Sequence, residues 1–117
     1  MKDIGAVHAV LTAKHGCGFL LWETNTTLPD GSPYRYHVNS SMPVMKMFVE
    51  QTTANNIGHG FYYSLTNNFY LNELGHNVQP PSTLLPGQAS VTQAQFEDLA
   101  IAQMTEIWTQ FGNLTEV

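Results

Sequence analysis

The chain has 117 residues, 43% of them hydrophobic and 11% aromatic, which is the length of one domain with enough apolar matter for a core. A net charge of −5 with only four Lys and Arg supplies no basic stripe for phosphates, so nucleic acid is not an expected partner. No apolar run approaches the ~20 residues that cross a bilayer, and Asp3 and His8 interrupt the start, so no signal peptide and no membrane partner are expected.

The first element is the run Ala6-Val7-His8-Ala9-Val10-Leu11-Thr12-Ala13, closed by Lys14-His15-Gly16-Cys17-Gly18-Phe19. Because it is continuous rather than alternating, it reads as a strand covered on both faces, as in parallel sheets wrapped by helices. Ligands in such folds sit beyond the carboxyl ends of the strands, which is where His15 falls. The single cysteine, Cys17, cannot form an internal disulfide and is expected as a free thiol.

Residues 24–41 hold Asn25, Pro29, Asp30, Gly31, Ser32 and Pro33, a cluster of turn formers that predicts a long surface loop. A helix is expected from about Ser41, with Pro43 in its first turn and Val44, Met47, Phe48 and Thr52 recurring at helical spacing. The methionines Met42, Met45 and Met47 read as helix core or exposed edge. Asn55, Asn56 and Gly58 end the helix, and a short aromatic strand follows at Gly60 to Ser64. Strand, helix and strand in this order predict a parallel crossover.

From Leu65 to Ala89 no period is visible, and Pro80, Pro81, Pro86 and Gly87 lie within it. This predicts a loop over the ligand face, with Asn67, Asn68, Asn72, Glu73 and His76 as polar candidates. Thr92 and Gln95 then form a capping box for a helix with the stripe Phe96, Leu99, Ala100, Met104, Ile107, Trp108 and Phe111. Gly112 is expected to stop it, and Leu114 to Val117 to begin a third strand. The fold class is α/β, β-α-β-α-β with parallel strands.

Two motifs carry a resemblance over nearly the whole chain. Ala9-Val10-Leu11-Thr12-Ala13-Lys14-His15-Gly16-Cys17-Gly18-Phe19-Leu20-Leu21-Trp22 resembles the second barrel strand and following loop of the α-L-fucosidases of glycoside hydrolase family 29. Those enzymes carry Ala-Val-Leu-Thr-Ala-Lys-His-His-Asp-Gly-Phe-x-x-Trp there. Gly60-Phe61-Tyr62-Tyr63-Ser64 is similar to the family's third-strand signature, and Ile107 to Val117 to the segment leading into the fourth strand. The resemblance implies a partial (β/α)8 TIM barrel, with residues 1–117 a fragment of the catalytic domain from its second to its fourth strand. A whole barrel has ~250 residues.

The resemblance also implies function and site. The parent enzyme would be a retaining glycosidase that releases terminal α-L-fucose, its partner a fucosylated glycan or glycoside, with no cofactor and no metal. His15 maps onto the first of two family histidines that bind sugar hydroxyls, Tyr62 onto the tyrosine that contacts fucose, and Trp22 onto the tryptophan after the loop. Gly16 and Cys17 replace the family's His-Asp, removing one hydrogen bond worth roughly 0.5–1.5 kcal/mol. Trp22 is expected either at the substrate or packing the loop on the barrel. Family enzymes are usually lysosomal, secreted or periplasmic, which suits the sequons at Asn25, Asn39 and Asn113, and the expected compartment for the parent is lysosomal or secreted.

Retaining hydrolysis needs two carboxyl groups about 5–5.5 Å apart. None of the acids here fits: Glu116 lies at a strand entry, Glu97 and Glu106 on a solvated helix flank, and Glu23 and Glu73 on loops. By resemblance the nucleophilic Asp falls three residues beyond Val117, so the chain alone is expected to be inactive. Histidines His8, His37, His59 and His76 lack metal spacing. The rival reading is a small non-catalytic carbohydrate-binding or interaction module that keeps His15 and Tyr62 as ligand contacts. A flavodoxin-like domain is disfavoured by the absence of a compact phosphate cradle. The oligomeric state stays open.

Overall fold

The computed structural model describes Gly5 and residues 7–111. The expected stop at Gly112, the third strand at Leu114 to Val117, Glu116 and the sequon at Asn113 lie outside the described residues, as does Ala6. Strand β1, His8–Lys14, is followed by helix α1, Val44–Ala54, and strand β2, Gly58–Tyr63. The two strands pair in parallel, with His8 opposite Gly58, Val10 opposite Gly60 and Thr12 opposite Tyr62, and the register slips between Thr12 and Lys14. Strand β2 therefore starts two residues earlier than its aromatic run suggests and stops before Ser64.

Partnered residues of parallel strands point to the same side, so this sheet has two distinct faces. One carries Ala9, Leu11 and Ala13 beside His59, Phe61 and Tyr63, and it is covered. Ala13 and Phe61 are fully buried in a cluster with Leu20, Trp22, Met45, Phe96 and Ile107. The other face carries Val10, Thr12 and Tyr62, all exposed. Cover was expected on both faces; among the described residues one layer is present, and Val10 and Tyr62 each keep close to half their surface. A radius of gyration of 15.5 Å, against about 13 Å for a compact chain of this size, fits a structure with an open side.

Helix α1 begins after Pro43, whose missing N–H costs nothing at a helix start. Its core face is Met45, Phe48, Val49 and Thr52, one to the side of the stripe expected from the sequence: Met47 and Met42 are exposed. Thr52 is buried because its hydroxyl returns a hydrogen bond to the carbonyls of Phe48 and Val49 within the helix.

Helix α2, Gln93–Gln110, carries the expected capping box, Thr92 Oγ1 accepting from Gln95 N and Gln95 Oε1 from Thr92 N. Its buried line is Phe96, Leu99, Ala100, Gln103 and Ile107. Trp108, one residue past Ile107 and so ~100° round the helix, points outward. The fully buried Gln103 takes the place expected of Met104 because its amide oxygen accepts from the Tyr63 hydroxyl at 2.6 Å.

The stretch after β2 is folded rather than an unstructured loop. Strands β3, Asn67–Asn68, β4, Glu73–Leu74, and β5, Asn77–Val78, form an antiparallel sheet, followed by a 3-10 turn at Pro81–Thr83. Two-residue strands are too short to show a period, and their turns use left-handed residues: Asn72 at φ 56°, Gly75 at 58° and His76 at 70°. The all-parallel expectation is corrected by this sheet. The segment 24–41 is likewise more than surface loop, since Tyr34 is fully buried, its hydroxyl donating to the Gly18 carbonyl at 2.5 Å.

Candidate active site

At the carboxyl end of β1 the chain turns, Gly18 N donating to His15 O at 3.1 Å. Gly18 has φ +85°, and a Cβ there would lie 2.1 Å from Asn68 Oδ1, so no other residue fits without displacing the buried Asn68. The turn is held from the β3 side: Phe69 N donates to Gly16 O at 2.9 Å and Tyr70 N to Cys17 O at 3.3 Å. Its backbone is consumed by these contacts, which leaves side chains to face solvent. His15 and Cys17 are exposed, and Cys17 is a free thiol.

Across the sheet, Ser64 N donates to Lys14 O at 3.0 Å, continuing the ladder past the bulge. His15 and Tyr62 thereby come to one end of the parallel pair, their ring centroids 5.9 Å apart and tilted by 40°. Tyr62 and Tyr63 separate as alternation requires. Tyr62 stands on the open face, whereas Tyr63 turns to α2, hydrogen-bonded to Gln103, and burial pushes its phenol well above the usual range.

Beneath the pair lies Lys14, a residue the sequence reading passed over. It is fully buried, with Nζ donating to Ser64 O at 2.5 Å and Asn67 O at 2.7 Å, and 5.1 Å from the Tyr63 ring centroid. Burial lowers its pKa from 10.5 to about 8, partly opposed by the charge of Glu73. This ammonium clasps the ends of both strands and the first residues of the following segment. A lysine closing an apolar run was the only signal for it.

Next to His15 a groove of about 440 Å³ opens against the antiparallel sheet, lined by His15, Gly16, Asn67, Phe69, Glu73 and Gln88 among others. Of the polar candidates expected on this segment, Asn67, Asn72 and Glu73 reach the groove. Asn68 is buried instead, its Oδ1 accepting from Leu71 N, and His76 is exposed at a turn. Glu73 is buried with neither carboxylate oxygen hydrogen-bonded, and burial raises its pKa.

Trp22 sits elsewhere. It is buried, its indole N–H donating to Glu106 Oε1 at 2.9 Å. Glu106, expected on a solvated flank, is half-buried and also accepts from the Thr24 hydroxyl and from Asn25 N at 2.7 Å. Trp22 and Glu106 thus tie the loop after β1 to α2, the packing arrangement left open for Trp22 from the sequence. Among the described residues no group of three or more His, Cys, Asp or Glu is placed to hold a metal ion, and no helix is long and apolar enough to cross a membrane.

A parallel β-α-β unit with an exposed histidine and tyrosine at its carboxyl end places side chains where α/β folds bind their ligands. The family model for α-L-fucosidase matches residues 1–116, and the chain belongs to the α-L-fucosidase family. It is similar to the crystal structure of a candidate α-L-fucosidase from Bacteroides thetaiotaomicron VPI-5482, with a TM-score of 0.76 at 22% identity. The similarity covers 97% of this chain and 25% of that one, so the chain spans a quarter of that structure's length. No curated protein matches it.

Proposed function

We propose that the chain is part of a family 29 α-L-fucosidase, a retaining glycosidase that releases terminal α-L-fucose from glycans, and that it forms one segment of a (β/α)8 barrel. The contact between His15 and Tyr62 at the carboxyl end of the parallel pair carries this reading. An imidazole and a phenol offer donors and acceptors for sugar hydroxyls without the cost of burying net charge. The exposed face of Val10, Thr12 and Tyr62 suits the inner lining of a barrel whose remaining strands would cover it.

In this reading His15 and Tyr62 hold the fucose, while Trp22 acts at one remove by packing the loop that carries His15. Among the described residues Glu73 is the only acid lining the groove at His15. Double displacement needs a nucleophile and an acid/base, so both reacting carboxyl groups, or at least one, come from outside the described residues. The 117-residue chain by itself is then inactive. The sequons at Asn25 and Asn39 are exposed, which supports a lysosomal or secreted parent.

The test is turnover of a nitrophenyl α-L-fucoside by the full-length protein and by the isolated chain. Release by the first with retention of anomeric configuration, and none by the second, is expected. Fucose binding without turnover by the full-length protein would favour the non-catalytic carbohydrate-binding module instead.

A further inference from the structure

Asn25-Thr26-Thr27 is an acceptor triplet for N-linked glycans, with no proline at its centre. Asn25 is exposed, and among the described residues nothing hydrogen-bonds its side-chain amide. Its backbone, by contrast, is anchored: Asn25 N donates to Glu106 Oε2 at 2.7 Å, and Thr26 O accepts from Tyr34 N at 3.1 Å. Leu28 N closes the same arm on Ser32 O at 2.7 Å. A free amide on a fixed backbone presents its nitrogen outward from a defined place. The triplet Asn39-Ser40-Ser41 differs, because Asn39 Oδ1 folds back to accept from Ser41 N and from the Ser41 hydroxyl.

Asn25 also lines a groove of about 670 Å³ between this arm and α2, a volume within the roughly 300–1,000 Å³ of small-molecule sites. The cavity that Asn39 lines has only about 160 Å³, below that range. One wall of the larger groove is a face of the helix, where Asp98, Ala102 and Glu106 recur four residues apart and the single methyl of Ala102 leaves the middle open. Leu28 and Pro29 line it from the arm. Asp98 is exposed, and among the described residues no donor meets its carboxylate, which leaves a free acceptor. The charges of Asp98 and Glu106 disfavour an anionic occupant. A neutral sugar with N–H and O–H donors and an apolar C–H face suits both walls.

We infer that Asn25 is N-glycosylated and that the first N-acetylglucosamine of its glycan lies in this groove. In the transfer Asn25 Nδ2 bonds to C1 of that sugar and gives up one proton. The bond from C1 to the diphosphate of a lipid-linked oligosaccharide donor breaks, and the lipid diphosphate leaves with the electron pair. The attached sugar covers Leu28 and Pro29 and offers its acetamido N–H or a hydroxyl to Asp98. The inference rests on the lysosomal or secreted location proposed above and holds whether or not the protein hydrolyses fucosides.

The experiment treats the full-length protein from its native source with a peptide N-glycosidase in heavy-oxygen water, which turns each glycosylated Asn into labelled Asp, and reads the peptides by mass spectrometry. Label at position 25 is expected. Label at other sequons with Asn25 unlabelled overturns the site while leaving the secreted or lysosomal location standing; no label anywhere overturns both. The seat in the groove is tested with Asp98→Ala, made in the glycosylated protein and in Asn25→Gln, with Thr27→Val as a second unglycosylated background should Asn25→Gln not fold. Asp98→Ala is expected to lower the melting midpoint of the glycosylated protein and to leave that of the unglycosylated one unchanged. An equal shift in both backgrounds, or none in either, overturns the placement of the sugar against α2. Turnover of a nitrophenyl fucoside is read separately and bears only on the fucosidase reading.

Discussion

Phe61 and Tyr62 are neighbours on one strand, and the contrast between the two faces they occupy organises the molecule. Phe61 points into the covered face, where it meets Phe48 of α1 at a centroid distance of 5.8 Å and Phe111 at 5.6 Å. Tyr62 points to the open face and touches the exposed His15. The first face holds the unit together through packing; the second bears the groups able to meet a ligand. Stability and chemistry are therefore separable along β2 at a spacing of one residue, a consequence of the two-residue period of a strand.

The sharpest way to break this contrast is at Phe61. Phe61→Ala is expected to cost about 3–5 kcal/mol, read by denaturant unfolding, because it opens a cavity in the fully buried cluster. A loss below about 1 kcal/mol would mean that the covered face is not the core. Next comes the tie between the first loop and α2. Glu106→Ala leaves the Trp22 indole N–H, the Thr24 hydroxyl and Asn25 N without their acceptor, and about 2–4 kcal/mol is expected. In the Glu106→Ala background, Trp22→Phe should recover only the indole's share of that loss, since the Thr24 hydroxyl and Asn25 N still lack their acceptor.

A smaller effect lies beneath the strand ends. Lys14 has a folded pKa of about 8 against 10.5 unfolded, so its charged form is penalised in the folded state. Below pH 8 the lysine is protonated in both states and the full penalty applies. As pH rises from 8 toward 10.5 the unfolded chain binds the extra proton, and stability is expected to increase by on the order of 1–2 kcal/mol. Above pH 10 the raised phenols of Tyr34 and Tyr63 reverse the trend, because only the unfolded chain can ionise them there. Unfolding curves at pH 7.5 and 9.5, as differences between wild type and Lys14→Met, isolate the lysine; parallel curves would remove its role as a buried clasp.

The smallest change in stability is expected at Tyr62. Tyr62→Phe should alter it by less than about 0.5 kcal/mol, as exposed positions usually do. On the proposed function, the same substitution in the full-length protein should lower kcat/KM on fucosides about three- to tenfold, the effect of one hydrogen bond. A destabilised Tyr62→Phe with full activity would invert the assignment of the two faces.

How far the sequence reading reached varies by element. The capping box at Thr92 and Gln95 is a local device, and it is where the residues put it. The parallel pairing followed from the order of strand, helix and strand, and the match of motifs after both strands pointed to the family that the chain belongs to. Local signals failed where a side chain's fate depends on a distant partner. Gln103 reads as a polar residue beside an apolar stripe until the Tyr63 hydroxyl, 40 residues away, accounts for its burial. Lys14 gives no sign of burial in the sequence until the carbonyls of Ser64 and Asn67 accept its hydrogen bonds. The antiparallel strands were illegible because two residues cannot express a period.

By itself the sequence determined where the helices and the first two strands lie, through period, caps and turn formers, and it carried the family signature at His15 and Tyr62. Those are properties of a chain read a few residues at a time. Only the tertiary structure decided which face of the sheet is covered and that Trp22 packs against α2. It alone also brought Glu73, buried and unpartnered, beside the His15 turn. Such outcomes rest on contacts between residues dozens of positions apart, whose desolvation and hydrogen bonding no local pattern records.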